Sequence, residues 1–353
     1  MNRFKTIAGL VAVGMITPIA AQAGTSVYGK IHMSADVMDI GAGGGHGVSS
    51  NSSRIGFKGK TDLNYGLKAI WKLETELDVA GDDTAKFKSR NRYLGLNYKK
   101  STLVGGYHDT PFKTLGGKSG VLHDTIADRR GILGRDYLSG DAANDTGDVK
   151  KGKKIDVRAA SAVMYINKSI TNTEFRLMRS AGSGNASAGD TSPITSASVM
   201  YKTSQIMLGG AYEEQEAKST SGIRLLGGIA FGATRVNATY EKLDFGDTDA
   251  KAGWDRSVIG LSATHKLGAT SIKAQTFIAQ DLDSQSDSGA RMYAAGVYHK
   301  LAKAFEVYTV VARLENDENS AYTLTGSGHG DSYYPSSKGG NMHGLSFGAI
   351  YKF

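Results

Sequence analysis

Bulky or apolar side chains recur at every second position from Leu345 to Phe353, with smaller or polar residues mostly between them. That is the signature of one strand with one greasy face. The same alternation runs through the whole chain, over about sixteen segments. They lie near 25–39, 52–60, 66–79, 89–98, 101–109, 155–166, 172–181, 194–203, 205–216, 222–232, 233–245, 255–267, 270–282, 289–300, 304–315 and 341–353. In one of them Val27, Ile31, Met33 and Ala35 alternate with Tyr28, Lys30, His32, Ser34 and Asp36. In another Leu67, Ala69, Trp71, Leu73 and Leu77 alternate with Lys68, Lys72, Glu74 and Glu76. A soluble sandwich would need thick apolar core strands, and these faces are single and thin.

The connections alternate too. Short ones fall at 62–65, 99–100, 167–171, 203–204, 231–233, 267–269 and 301–303. Longer ones fall at 40–51, 80–88, 110–154, 182–193, 217–221, 246–254, 283–288 and 316–340. Strands of about nine residues or more, joined by short turns on one side and long loops on the other, predict a transmembrane antiparallel β-barrel. A barrel of about sixteen strands encloses a channel wide enough for water. Four prolines in 353 residues fit this reading: Pro18 is in the leader and Pro111, Pro193 and Pro335 fall in connections, where no ladder hydrogen bond is lost.

Residues 1–23 read as a leader. Arg3 and Lys5 precede an apolar stretch from Ile7 to Ile16, and Ala21-Gln22-Ala23 predicts cleavage after Ala23, leaving a single barrel domain over 24–353. The stretch is too short for a membrane-spanning helix. Cysteine is absent, which excludes disulfides, thiolate metal sites and a cysteine nucleophile. Without Arg3 and Lys5 the chain keeps 40 of its 42 basic residues against 34 acidic ones, a net +6. That excess leans towards anions and is too weak for nucleic acid.

Several segments resemble the general porins of Gram-negative outer membranes. Val27-Tyr28-Gly29-Lys30 is similar to that family's first strand, Ser53-Arg54-Ile55-Gly56-Phe57-Lys58-Gly59 to its second, and Tyr93-Leu94-Gly95-Leu96, preceded by Arg90 and Arg92, to its fourth. Tyr351-Lys352-Phe353 resembles its terminal assembly signal. The resemblance implies a sixteen-stranded barrel in the outer membrane, exported through the periplasm and usually trimeric, with the long third loop folded into the lumen. It also implies outer-membrane lipid and lipopolysaccharide as surroundings, the barrel assembly machinery as a folding partner, and small hydrophilic solutes as cargo.

By the same resemblance, Lys30, Arg54, Arg90 and Arg158 form the basic wall of the pore constriction. Arg92 shares parity with Arg90 and is expected beside it. The family's acidic loop tip is absent from the connection at 110–154, and Asp124 and Asp128 are the nearest acidic candidates. Cations facing carboxylates across a narrow aqueous gap set up a transverse field that favours polar solutes and sets ion preference.

Other chemistry finds little support. The glycine-rich stretch 41–47 follows a strand but opens no helix, so it reads as a flexible loop. Gly116-Gly117-Lys118-Ser119 lacks the earlier glycine of a phosphate loop, since position 112 is Phe112. The eight histidines show no metal-like spacing, and neither cofactor nor metal is expected. No serine–histidine–aspartate set stands out, which leaves a barrel enzyme a weak reading. The main alternative is a substrate-selective channel. Lys150, Lys151, Lys153 and Lys154 favour phosphate or other anions, while the tyrosines form no visible slide for sugars.

Overall fold

The computed structural model describes residues 24–41, 43–81, 87–135, 154–182, 193–246 and 255–353. The leader at 1–23 and the loop lysines at 150, 151 and 153 lie outside these residues. The first half contains β1 (Thr25–Asp39), β2 (Gly44–Ser50), β3 (Arg54–Asp62), β4 (Leu67–Leu77), β5 (Phe87–Tyr98), β6 (Ser101–Asp109), β7 (Arg158–Asn167), β8 (Thr173–Ser180) and β9 (Ile194–Lys202). The second contains β10 (Ile206–Gln215), β11 (Thr220–Phe231), β12 (Thr234–Asp244), β13 (Arg256–Leu267), β14 (Thr270–Ala279), β15 (Ala290–Lys300), β16 (Phe305–Asn316) and β17 (Met342–Lys352). One short helix, α1 (Pro111–Gly116), follows β6, with Thr110 as its N-cap and Pro111 in its first turn.

β2 and β3 are halves of one barrel strand. β1 pairs with both, Met33 opposite Ser50 and Lys30 opposite Arg54. Two residues on β1 therefore face three on the partner, which makes a bulge at Asn51, Ser52 and Ser53. Ser52 takes a left-handed backbone (φ 48°), and the bulge is pinned by Asn51 N donating to His32 O at 2.7 Å and His32 N to Ser53 Oγ at 2.9 Å. Counted this way, sixteen antiparallel strands close on themselves, because β1 also pairs with β17. Closure of the sheet on itself pairs the first strand with the last and so satisfies their backbones without water, which a membrane-spanning sheet requires.

The expected strands all form, with one correction. Residues 40–51 do not make a long glycine-rich loop: Gly44–Ser50 is strand, paired to β1 up to Asp39, and Ile40 N donates to Gly43 O at 3.3 Å. These glycines continue the ladder through their pairing with β1, Gly44 opposite Asp39 and Gly47 opposite Asp36.

The outward faces carry exposed Val27, Ile31, Phe57, Leu94, Leu96, Leu103, Leu225, Leu261, Val297 and Phe347. Aromatics on this barrel often lie over a glycine directly opposite. A Cβ on Gly56 would fall 2.4 Å from the Tyr28 ring, one on Gly348 2.2 Å from Tyr308, and one on Gly260 2.4 Å from Phe277. Each is a paired position in the ladder. Part of the high glycine content thus makes room for rings on neighbouring strands.

The buried faces are less polar than the alternation implied. Phe277, Met292, Tyr298, Tyr308, Leu314 and Met342 form a cluster with Leu122, Ile126, Ile132 and Leu133 of the third long connection and with Tyr322 and Leu324 of the last. A second cluster joins Phe112 and Leu115 of α1 to Met207, Leu226 and Leu243.

Candidate pore site

Lys30 lies on the buried face of β1, and its ammonium donates to Asp124 Oδ2 at 2.9 Å. Arg54 is beside it in the ladder. Its Nη1 donates to Ser52 O at 3.4 Å, and among the described residues it has no carboxylate within 4.0 Å. Arg90 on β5 forks onto two carboxylates of β4, Glu74 at 2.7 Å and Glu76 at 2.5 Å. Glu74 also accepts from Tyr28 Oη at 2.7 Å and lies 3.1 Å from Lys72. Arg158 at the start of β7 pairs with Asp109 of β6, Nε to Oδ1 at 2.9 Å, as an ion pair without hydrogen-bond alignment. Lys30, Arg54 and Arg90 therefore share one wall, and Arg158 belongs to the mouth of the third connection.

Arg92 departs from expectation. The pairing of β4 with β5 shifts register between Leu73 and Thr75, where Leu73 faces Arg92 but Thr75 faces Ser89. The extra residue flips the alternation. Arg90 keeps to the buried face, whereas Arg92 shares the exposed face of Leu94 and Leu96. It donates to Ser89 Oγ at 2.6 Å and lies 5.9 Å from the centre of the Tyr107 ring.

Asp124 and Asp128 divide the acidic role. Asp124 bridges two cations, Lys30 and Arg130, the latter at 2.8 Å. Asp128 is fully buried and local: it accepts from Asp124 N at 2.7 Å and from Arg130 N and Nε at 2.8 Å each. Burial alone pushes the Asp128 carboxyl up, but the Arg130 guanidinium outweighs it and holds it well below the usual carboxylate range. Asp124 is a wall-facing charge, and Asp128 holds the turn that presents it.

A second polar cluster escaped the sequence reading. Arg224 on β11 is fully buried, pairs tightly with Glu241 on β12, donates to Asp156 Oδ2 at 3.1 Å and to Phe112 O at 3.0 Å, and lies 4.0 Å from the centre of the Phe112 ring. Arg129 reaches the same Asp156 oxygen at 2.8 Å, and Gly134 N donates to Glu241 Oε1 at 2.7 Å. Burial raises the Asp156 carboxyl, yet Arg129 and Arg224 hold it far below its ordinary value. Gln275 on β14 accepts from Val121 N at 2.8 Å and donates to Ala127 O at 2.5 Å, and Ser262 on β13 donates to Ser119 O at 3.0 Å. Residues 110–135 are thus bonded to β1 on one side and to β11, β12, β13 and β14 on the other. On the strands these polar residues look like any other water-facing position. Only the partners across the barrel set them apart.

The profile of the Gram-negative porin family matches residues 9–319. The chain belongs to the Gram-negative porins. Among relatives of this porin, the major outer membrane protein P.IB of Neisseria gonorrhoeae is 31% identical over 140 residues, which covers 35% of this chain and 39% of that protein. The match thus spans well under half of the relative. Among solved structures, an anion-selective porin from Comamonas acidovorans superposes with a TM-score of 0.77 at 19% identity, over 93% of this porin and 99% of that chain. The trimer form of OmpT from Vibrio cholerae superposes with a TM-score of 0.64 at 16% identity, over 93% and 99% of the two chains. Family and fold together place this porin in the outer membrane as a β-barrel.

Proposed function

We propose that this porin is a passive channel, without enzymatic activity, for small hydrophilic solutes and ions. The observation that carries the reading is the closed barrel in which Lys30, on β1 beside Arg54, meets the carboxylate of Asp124 from the third connection. Residues 110–135, bonded to opposite sides of the barrel, form the constriction across the lumen. Lys30, Arg54 and Arg90 line it from one side, Asp124 from the other, and Arg158 stands at its base. Solutes pass by aligning dipole or charge in the field across this gap, whereas apolar solutes must displace oriented water.

The working form is a trimer, a reading supported by the family and by the trimer form of the Vibrio protein. The leader is removed after Ala23, and Tyr351 and Phe353 present the assembly signal to the folding machinery. Purified protein added to planar bilayers should give discrete ohmic steps, in groups of three for trimers. A membrane that stays silent, with folded protein inserted, would reject the channel.

A further inference from the structure

The cations of the wall are mostly neutralised where they stand. Lys30 is held by Asp124, Arg90 by Glu74 and Glu76, Lys72 by Glu74 and Arg158 by Asp109. Paired charges act at short range, since each pair is a dipole. Arg54 is the exception on the wall, and the larger group of unpaired charges lies elsewhere, on the half of the barrel where the short turns are. There Lys58, Lys60, Lys266, Lys273, Lys300 and Lys352 sit on β3, β13, β14, β15 and β17. Each alternates with an exposed apolar residue on its own strand, Phe57, Leu267, Ile272, Val297 and Tyr351, so each points to the inner side. Among the described residues none of the six has a carboxylate within 4.0 Å.

These strands are contiguous around the barrel, from β13 through β17 and across the seam to β1 and β3. Lys352 is directly opposite Lys30 in the ladder, and Lys30 is opposite Arg54, which joins the collar to the wall. Two lysines rest on inward aromatics: Lys273 Nζ lies 3.4 Å from the centre of the Tyr298 ring, and Lys58 Nζ 5.1 Å from that of Tyr28. The side-chain carboxylates on the same half of this arc are Glu306 and Asp62, and Lys68 takes Asp62 at 2.5 Å.

We propose that this lysine collar at the short-turn mouth, rather than the paired wall, sets the ion preference of the channel and makes it anionic. Like charges around one aqueous mouth add at long range, and low-dielectric walls focus their field. The collar concentrates small anions where the short turns open and repels cations there. This inference rests on the channel reading, and one experiment separates the two.

Reversal potentials in a KCl gradient are measured for the unaltered porin, for the six-fold Lys→Gln variant of the collar, and for the Arg54→Gln/Arg90→Gln variant of the wall. Folding is checked first by heat-modifiable gel mobility. The unaltered channel should favour chloride, the collar variant should lose most of that preference, and the wall variant should keep most of it. A collar variant that retains the chloride preference, or an unaltered channel that shows none, overturns the inference while leaving the channel intact. An unaltered protein that inserts and does not conduct overturns the channel reading itself. Salt gives a second measurement that needs no variant. The screening length falls from about 10 Å near 0.1 M to about 3 Å at 1 M, so a preference set by exposed lysines should fade over that range. A preference that persists at 1 M overturns the collar.

Discussion

Phe353 and Gly29 exchange two backbone hydrogen bonds across the barrel seam, Gly29 N to Phe353 O at 2.9 Å and Phe353 N to Gly29 O at 3.3 Å. The Phe353 ring covers Gly29 so closely that a Cβ there would fall 2.2 Å from the ring. The last residue therefore does two things. It extends the β1–β17 ladder by one pair, and its ring covers the space above Gly29 on β1.

Removing Phe353 or replacing Gly29 with valine should weaken closure. The valine is an overpacking change, costing about 1–3 kcal/mol where the ring cannot move. Both variants should show less heat-resistant folded band on gels, with the deletion the more severe. Unchanged amounts of folded protein would mean that the seam does not depend on this contact.

Arg224 ties the third connection to the barrel, and Arg224→Leu should release it. Breaking a buried ion pair on one side typically costs about 3–5 kcal/mol, because the partner charge is left stranded. Here Glu241 and Asp156 would both lose a guanidinium. The strand ladders do not involve this side chain, so the barrel should still form. We expect faster protease cleavage within 110–135 and a larger single-channel conductance, and an unaltered conductance would count against a constriction anchored at Arg224.

Acid should undock the same segment only at low pH. The folded Asp128 carboxyl is held below its ordinary value, so its contribution is complete above the unfolded value of about 3.9 and is lost as pH falls through the folded one. Channel noise and protease protection should be unchanged from pH 7 to 5 and change only in strong acid. Asp128→Asn should show the acid behaviour at neutral pH. A transition near pH 6 in the unaltered protein would point to another group.

Arg92→Gln should leave the reversal potential where it is, because the bulge opposite Glu74 turns this residue to the exposed face. A shift as large as that of Arg90→Gln would place both residues in the pore.

The sequence alone determined the number of strands, their order and most of their bounds. Each strand in a two-faced sheet must alternate, and a segment such as Leu345–Phe353 carries that requirement in its own residues. Phe353 could be read as a closing residue for the same reason. The faces of Lys30 and Arg54 follow from strict alternation as well. What strict alternation cannot reveal is where it breaks. The bulges at Ser52 and beside Arg90 depend on the register of the partner strand, so β2 looked like a loop and Arg92 looked like a wall residue. The polar partners of the third connection were hidden for a different reason. Arg224, Asp156 and Gln275 lie far from their partners in the chain, and a buried charge on a barrel strand has the same local pattern as a solvated one. Arg224 and Glu241 face each other across one hairpin, but Asp156 meets Arg224, and Gln275 meets Val121 and Ala127, only when the barrel closes round the third connection, where desolvation makes each pairing obligatory.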